Sequence, residues 1–84
     1  MRHFTTPSFW ENYANLPKEI QRLADKNYEL LKSNPRHSSL HLKNVGDYWS
    51  IRVGIKYSAI GIYEDDSIIW FWIGTHAEYD QLIN

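Results

Sequence analysis

The 84-residue sequence contains no cysteine. That absence excludes disulfides, zinc thiolate sites and thiol nucleophiles, and it fits a reducing compartment. Long apolar runs are also missing. The longest, Ile68 to Ile73, is far too short to cross a bilayer. The opening residues, MRHFTTPSFW, lack the apolar stretch of a signal peptide. The expectation is a soluble, cytoplasmic chain. Repeats and low-complexity segments are absent. The length allows one domain, residues 1–84, which buries only about 60% of its unfolded surface. Basic residues stop at Lys56, so residues 64–84 carry Glu64, Asp65, Asp66, Glu78 and Asp80 with no Lys or Arg.

The charge is uneven along the chain. Residues 35–63 carry Arg36, Lys43, Arg52 and Lys56 against Asp47, a net of +3. A basic middle suits an anionic partner such as RNA, although four cations also suit ordinary solvated strand faces. The four Trp, six Tyr and three Phe supply the core, since each aromatic buries about 150–250 Å².

Periodicity divides the chain in two. Phe4-Thr5-Thr6 reads as a short extended piece ending at Pro7. Ser8 and Glu11 have capping-box spacing and predict a short helix with Phe9, Trp10, Tyr13 and Leu16 as its apolar set. Pro17 suits the first position of a second helix. There Ile20, Leu23, Ala24, Asn27, Tyr28 and Leu31 recur at helical spacing until Ser33-Asn34-Pro35. After Pro35 the pattern alternates. Strands are predicted over Leu40–Lys43, Tyr48–Val53, Tyr57–Tyr63 and Ser67–Ile73, with turns at 44–47, 54–56 and 64–66. The last strand is apolar on both faces and belongs inside the sheet. A short helix or tail runs from about His76 to Asn84. Helices grouped before strands argue an α+β fold: an N-terminal strand and a helical hairpin packed on a twisted antiparallel sheet. The helices would cover one face. The other would carry Tyr48, Ser50, Arg52 and Ser58.

Four stretches carry a resemblance: LPKEIQRLADKNYELLKSNP, LHLKNVGDYWSIRVG, YSAIGIYEDDSIIWFWIGTH and HAEYDQL. Together they resemble the RelE/ParE superfamily of bacterial toxin–antitoxin systems. The IGTHAEYD ending looks like its YafQ-like and HigB-like branches. The resemblance covers nearly the whole chain and implies a RelE-like fold and a small toxin neutralised by a cognate antitoxin protein. RelE-like members cleave mRNA on the ribosome without a metal, which implies an endoribonuclease here. The ParE branch poisons DNA gyrase, and some relatives are not toxic. Both remain alternatives.

His76 follows the last strand, and its ordinary pKa of about 6.5 suits acid–base work. The plain alternative is a histidine at the start of the final helix. Arg52 projects from the polar face and suits a scissile phosphate; a surface arginine paired with a carboxylate is the competing reading. Lys43 and Lys56 are further phosphate candidates or solvated lysines. His41 and Tyr48 are candidates for the RNA-facing surface, His41 being otherwise solvated. Tyr79 and Asp80 lie three and four residues after His76, on one face of a helical turn. Tyr79 would stack on a base or pack the tail, and Asp80 would orient His76. No cofactor and no metal is expected, because His76/Asp80 alone is inadequate as a metal site. One departure stands out. Many ribonuclease relatives carry Arg where this chain has Ser58, and that arginine joins the phosphate site.

Overall fold

The computed structural model describes residues 1–83, so only Asn84 of the expected tail lies outside the described residues. The element order is β1 (Arg2–Thr5), α1 (Pro7–Ala14), α2 (Lys18–Ser33), a 3-10 turn (Ser38–Leu40), β2 (Lys43–Val45), β3 (Tyr48–Val53), β4 (Tyr57–Glu64), β5 (Ser67–Thr75) and α3 (His76–Ile83). The strands form one sheet in the order β1-β5-β4-β3-β2. The expected α+β architecture is present, with one refinement. The sheet is mixed, because β1 pairs parallel to β5, from Arg2 opposite Ser67 to Thr5 opposite Trp70. A parallel pair needs a crossover, and here the two helices and the meander supply it.

Local chemistry sets the element ends. The N-cap of α1 is Thr6, whose Oγ1 accepts from the Phe9 amide, with Pro7 at the first helical position. The expected capping box at Ser8 and Glu11 does not form. Ser8 instead donates to the Phe71 carbonyl and pins α1 to β5. Pro17 stands just before α2 rather than within it. The 16 residues of α2 carry Glu19 in the first turn and Lys32 in the last, both favourable to the helix dipole. Asp65 and Asp66, at φ 50° and 58°, turn β4 into β5 as a two-residue hairpin.

The largest correction concerns residues 40–43. The predicted strand there is instead the end of the 3-10 turn, followed by His41 at φ 48°. A residue in the left-handed region cannot continue a ladder, so β2 starts only at Lys43 and takes in Asn44 and Val45. Leu40 still reaches the core, fully buried, from the turn.

The core lies between the helix pair and one sheet face. Leu31, Leu40, Val53, Ile68 and Trp70 fill it, with Phe9, Leu16, Ala24 and Ile51 around them. Trp70 is 2% exposed, as a core role requires, whereas Phe71 and Trp72 are only half-buried. The reason is an extra residue in β5. Ile60 pairs with Trp72 and Gly61 with Trp70, leaving Phe71 as a bulge that shifts the alternation. Asn27, buried on α2, donates to the Arg52 carbonyl at 3.1 Å and fixes β3 where it enters the site.

Candidate functional site

The face opposite the helices was expected to carry Tyr48, Ser50, Arg52 and Ser58. It is partly covered by α3, and the candidate site forms where α3 meets β3 and β4. A tight turn through Gly54 (φ 69°) pairs Arg52 of β3 with Ser58 of β4. Both side chains therefore share the face away from the helices. At the end of β5 the chain turns directly into α3. Thr75 and Glu78 close a reciprocal cap there. The Glu78 amide donates to Thr75 Oγ1 at 3.2 Å, while Glu78 Oε1 accepts from the Thr75 amide and hydroxyl at 3.1 and 2.8 Å. Those two bonds hold the Glu78 carboxyl below its ordinary pKa. The His76 amide donates to the Lys56 carbonyl at 2.7 Å, which locks the helix start to the β3–β4 turn.

Within this frame the His76 ring is held on three sides. Its Nδ1 is 3.1 Å from Ser58 Oγ. Its face stacks on the Tyr79 ring, with centroids 5.0 Å apart and planes 19° from parallel. Its Nε2 faces Asp80 Oδ1 at 3.6 Å, beyond hydrogen-bond range. The side chain is 33% exposed. Nε2 is thus the ring nitrogen available to a ligand, and Ser58 orients the ring from behind. Tyr79 in turn donates to Ser50 Oγ at 3.0 Å.

A cleft of about 310 Å³ opens here, lined by His41, Lys43, Ser50, Arg52, Ser58, His76 and Tyr79, with Ile51 also contributing to its wall. The structure therefore brings together His76, Arg52, Tyr79, Lys43 and His41 from the sequence expectations, with Asp80 at the rim. Among the described residues Lys32, beside Glu29, is the one Lys or Arg within ion-pair reach of a carboxylate, so Arg52 and Lys43 face the cleft without a carboxylate partner. Lys56 and Tyr48 are not in the cleft. Lys56 contributes its carbonyl from the turn, and Tyr48 lies beside Phe71 with ring centroids 5.9 Å apart. Stacking of a base on Tyr79 is closed in this arrangement, because its ring is 5% exposed and already covers His76. The tail-packing alternative describes its place.

Ser58 is the member that sequence reasoning undervalued. It is 1% exposed and serves as the hydrogen-bond partner of His76 rather than as a gap in the cation set. Its alternation with Ala59 and its hairpin register with Arg52 were the available signals. The same holds for the α3 cap, since Thr75-His76-Ala77-Glu78 has capping-box spacing.

No protein-family model matches the chain, and no curated protein matches it. Solved structures do. A chain of a RelB-RelE antitoxin–toxin complex from Methanococcus jannaschii is 21% identical with a TM-score of 0.73, covering 96% of this chain and 99% of that one. YafQ from E. coli is 16% identical with a TM-score of 0.73, covering 94% and 98%. The isolated E. coli RelE toxin is 13% identical with a TM-score of 0.63, covering 99% and 98%. No described helix is long and apolar enough to cross a membrane. At these identities the likeness rests on architecture, and over nearly its whole length this chain has the fold of the RelE-type toxins.

Proposed function

We propose that this chain is the toxin of a toxin–antitoxin pair and cleaves ribosome-bound mRNA with side chains alone performing the proton transfers. One observation carries the reading. A histidine oriented through Nδ1 shares a cleft with an arginine free of any described carboxylate partner. That is the equipment for opening a phosphodiester at a 2′-hydroxyl. The 2′-oxygen attacks phosphorus, the O2′–P bond forms and the P–O5′ bond breaks. His76 Nε2 takes the 2′-hydroxyl proton or supplies the proton that leaves on O5′, and His41, which lines the same cleft, is the group proposed for the other transfer. The products are a 2′,3′-cyclic phosphate and a 5′-hydroxyl. Arg52, with Lys43 beside it, neutralises the charge that builds on the phosphoryl oxygens. The antitoxin partner is proposed from the RelB-bound relatives.

The test is induced expression in a bacterial host with primer extension on a reporter mRNA. Wild type should give translation-dependent cuts that disappear in Arg52→Ala and His76→Ala. Loss of a positioned acid–base group costs about 10²–10⁴ in rate. Growth arrest without cuts, together with DNA-damage signalling, would replace this reading with gyrase inhibition. Normal growth with abundant folded protein would leave an antitoxin-binding protein without toxicity.

A further inference from the structure

A second concavity, about 740 Å³, lies round the sheet edge from the cleft. The end of α2, the loop that follows it, and residues at β1 and β3 wall it. Its lining includes His3, Lys32, Arg36, His37, His41 and Trp49, and no Asp or Glu. Its relation to the cleft is direct, because His41 lines both. The left-handed backbone at His41 places that side chain at the junction, and β2 next to it is only three residues long. A strand leaving the cleft therefore has little sheet edge to cross.

The groove's chemistry is that of a single-stranded nucleic acid site. Lys32 is already paired with Glu29 at 2.9 Å, but Arg36 is exposed with no carboxylate partner among the described residues. His37 commits Nδ1 to Ser39, which leaves Nε2 for a ligand. His3 accepts from the Trp70 indole through Nδ1, so its Nε2 is likewise free to donate. Trp49 packs one side on the core and is only half-buried. An aromatic face beside cations and ring donors suits a base and its phosphate.

We propose that this groove is a second RNA subsite, holding the nucleotides that flank the cut, with Arg36 on a phosphate and Trp49 under a base. This rests on the ribonuclease reading of the cleft. The groove is more than twice the cleft's volume, so RNA should gain affinity as it lengthens beyond the nucleotides at the cut.

The experiment uses uncleavable 2′-O-methyl oligonucleotides of mixed sequence, three and nine nucleotides long, titrated into wild type and Arg36→Glu. Wild type should bind the longer one more tightly. Arg36→Glu should weaken the longer one about tenfold and lower its slope of log K against log salt by about 0.7, the single-strand value for one phosphate. Binding of the shorter one should stay within about twofold. Equal affinity for both lengths in wild type, or equal weakening of both by Arg36→Glu, would overturn the groove while leaving the cleft's reading in place. Wild type that binds neither would overturn the groove, while the primer-extension test decides the cleft separately. Because Arg36 is exposed on a loop, an unchanged circular dichroism melt separates lost binding from lost folding.

Discussion

The hydroxyl pair under α3 offers the sharpest test of how this site is held. Tyr79 is 5% exposed and Ser50 3% exposed, and among the described residues the one side-chain hydrogen bond between α3 and β3 joins them at 3.0 Å. Tyr79→Phe removes the donor but keeps the ring on His76. Ser50 Oγ then stays buried without its partner, which costs about 1–3 kcal/mol. In a domain of this size each kcal/mol lowers Tm by about 4–8 °C. Ser50→Ala should cost a similar amount, because it strands the phenol. The double variant removes both polar groups, and replacing both partners by apolar atoms is nearly neutral. It should therefore lie no lower than the weaker single variant, with a coupling of about 1 kcal/mol or more.

The assay is urea unfolding of all four proteins followed by far-ultraviolet circular dichroism, with toxicity scored in parallel. Strict additivity, or a Tyr79→Phe protein as stable as wild type, would refute the claim that this bond anchors α3. Toxicity separates a second question. Stacking on His76 survives in Tyr79→Phe, so the folded variant should still arrest growth. A stable but harmless Tyr79→Phe would make the phenol hydroxyl part of the chemistry.

Three further outcomes follow from particular contacts. A Cβ at Gly61 would lie 2.6 Å from Ile68 Cγ2 and 2.9 Å from Trp70 Cε3, inside the core, so Gly61→Ala should cost about 1–3 kcal/mol in urea unfolding. Thr6→Ala removes the α1 cap and should cost about 0.5–2 kcal/mol in the same assay. Burial, aided by the positive chain terminus and Lys32, holds the His3 pKa below 6.5. Its contribution to stability is therefore complete above pH 6.5 and is lost as pH falls from there through the folded-state pKa. An NMR titration of the His3 ring should give a midpoint below 6.5, and His3→Gln should flatten stability in that window.

Element types were readable wherever a period persisted. In α2, the spacing of Ala24, Asn27 and Leu31 placed its buried face, and β3 alternates as Ile51 and Val53 against Ser50 and Arg52 predict. The reading failed where one residue departs from the period. His41 at φ 48° ended a strand that Leu40 and Leu42 had suggested, and a left-handed histidine leaves no mark in an apolar–polar pattern. The bulge at Phe71 is equally silent, because a run of apolar residues has no alternation to break. For the site, the sequence offered candidates without a geometry. Arg52 and Ser58 become neighbours through hairpin register, whereas Lys56 and Tyr48 share a strand region with them and end elsewhere.

Ser58 shows what this geometry selects. Its side chain is sealed between the β3–β5 backbones and His76, opposite Arg52 on one neighbour and Gly74 on the other. An arginine there would have to displace the ring bonded to Ser58 Oγ. Gly74 cannot yield the space, since even a Cβ there would lie 2.5 Å from Trp72 Cζ2. The site is thus built on one oriented histidine and the cations around it, Arg52 and Lys43, rather than on a dense cationic cluster. Ser58→Arg should therefore fail to strengthen toxicity and should instead abolish it by dislodging His76. Ser58→Ala, which only frees the ring, should reduce cutting by about tenfold, the equivalent of one hydrogen bond of about 1.4 kcal/mol. A more active Ser58→Arg would show that charge, and not the fixed orientation of His76, limits this site.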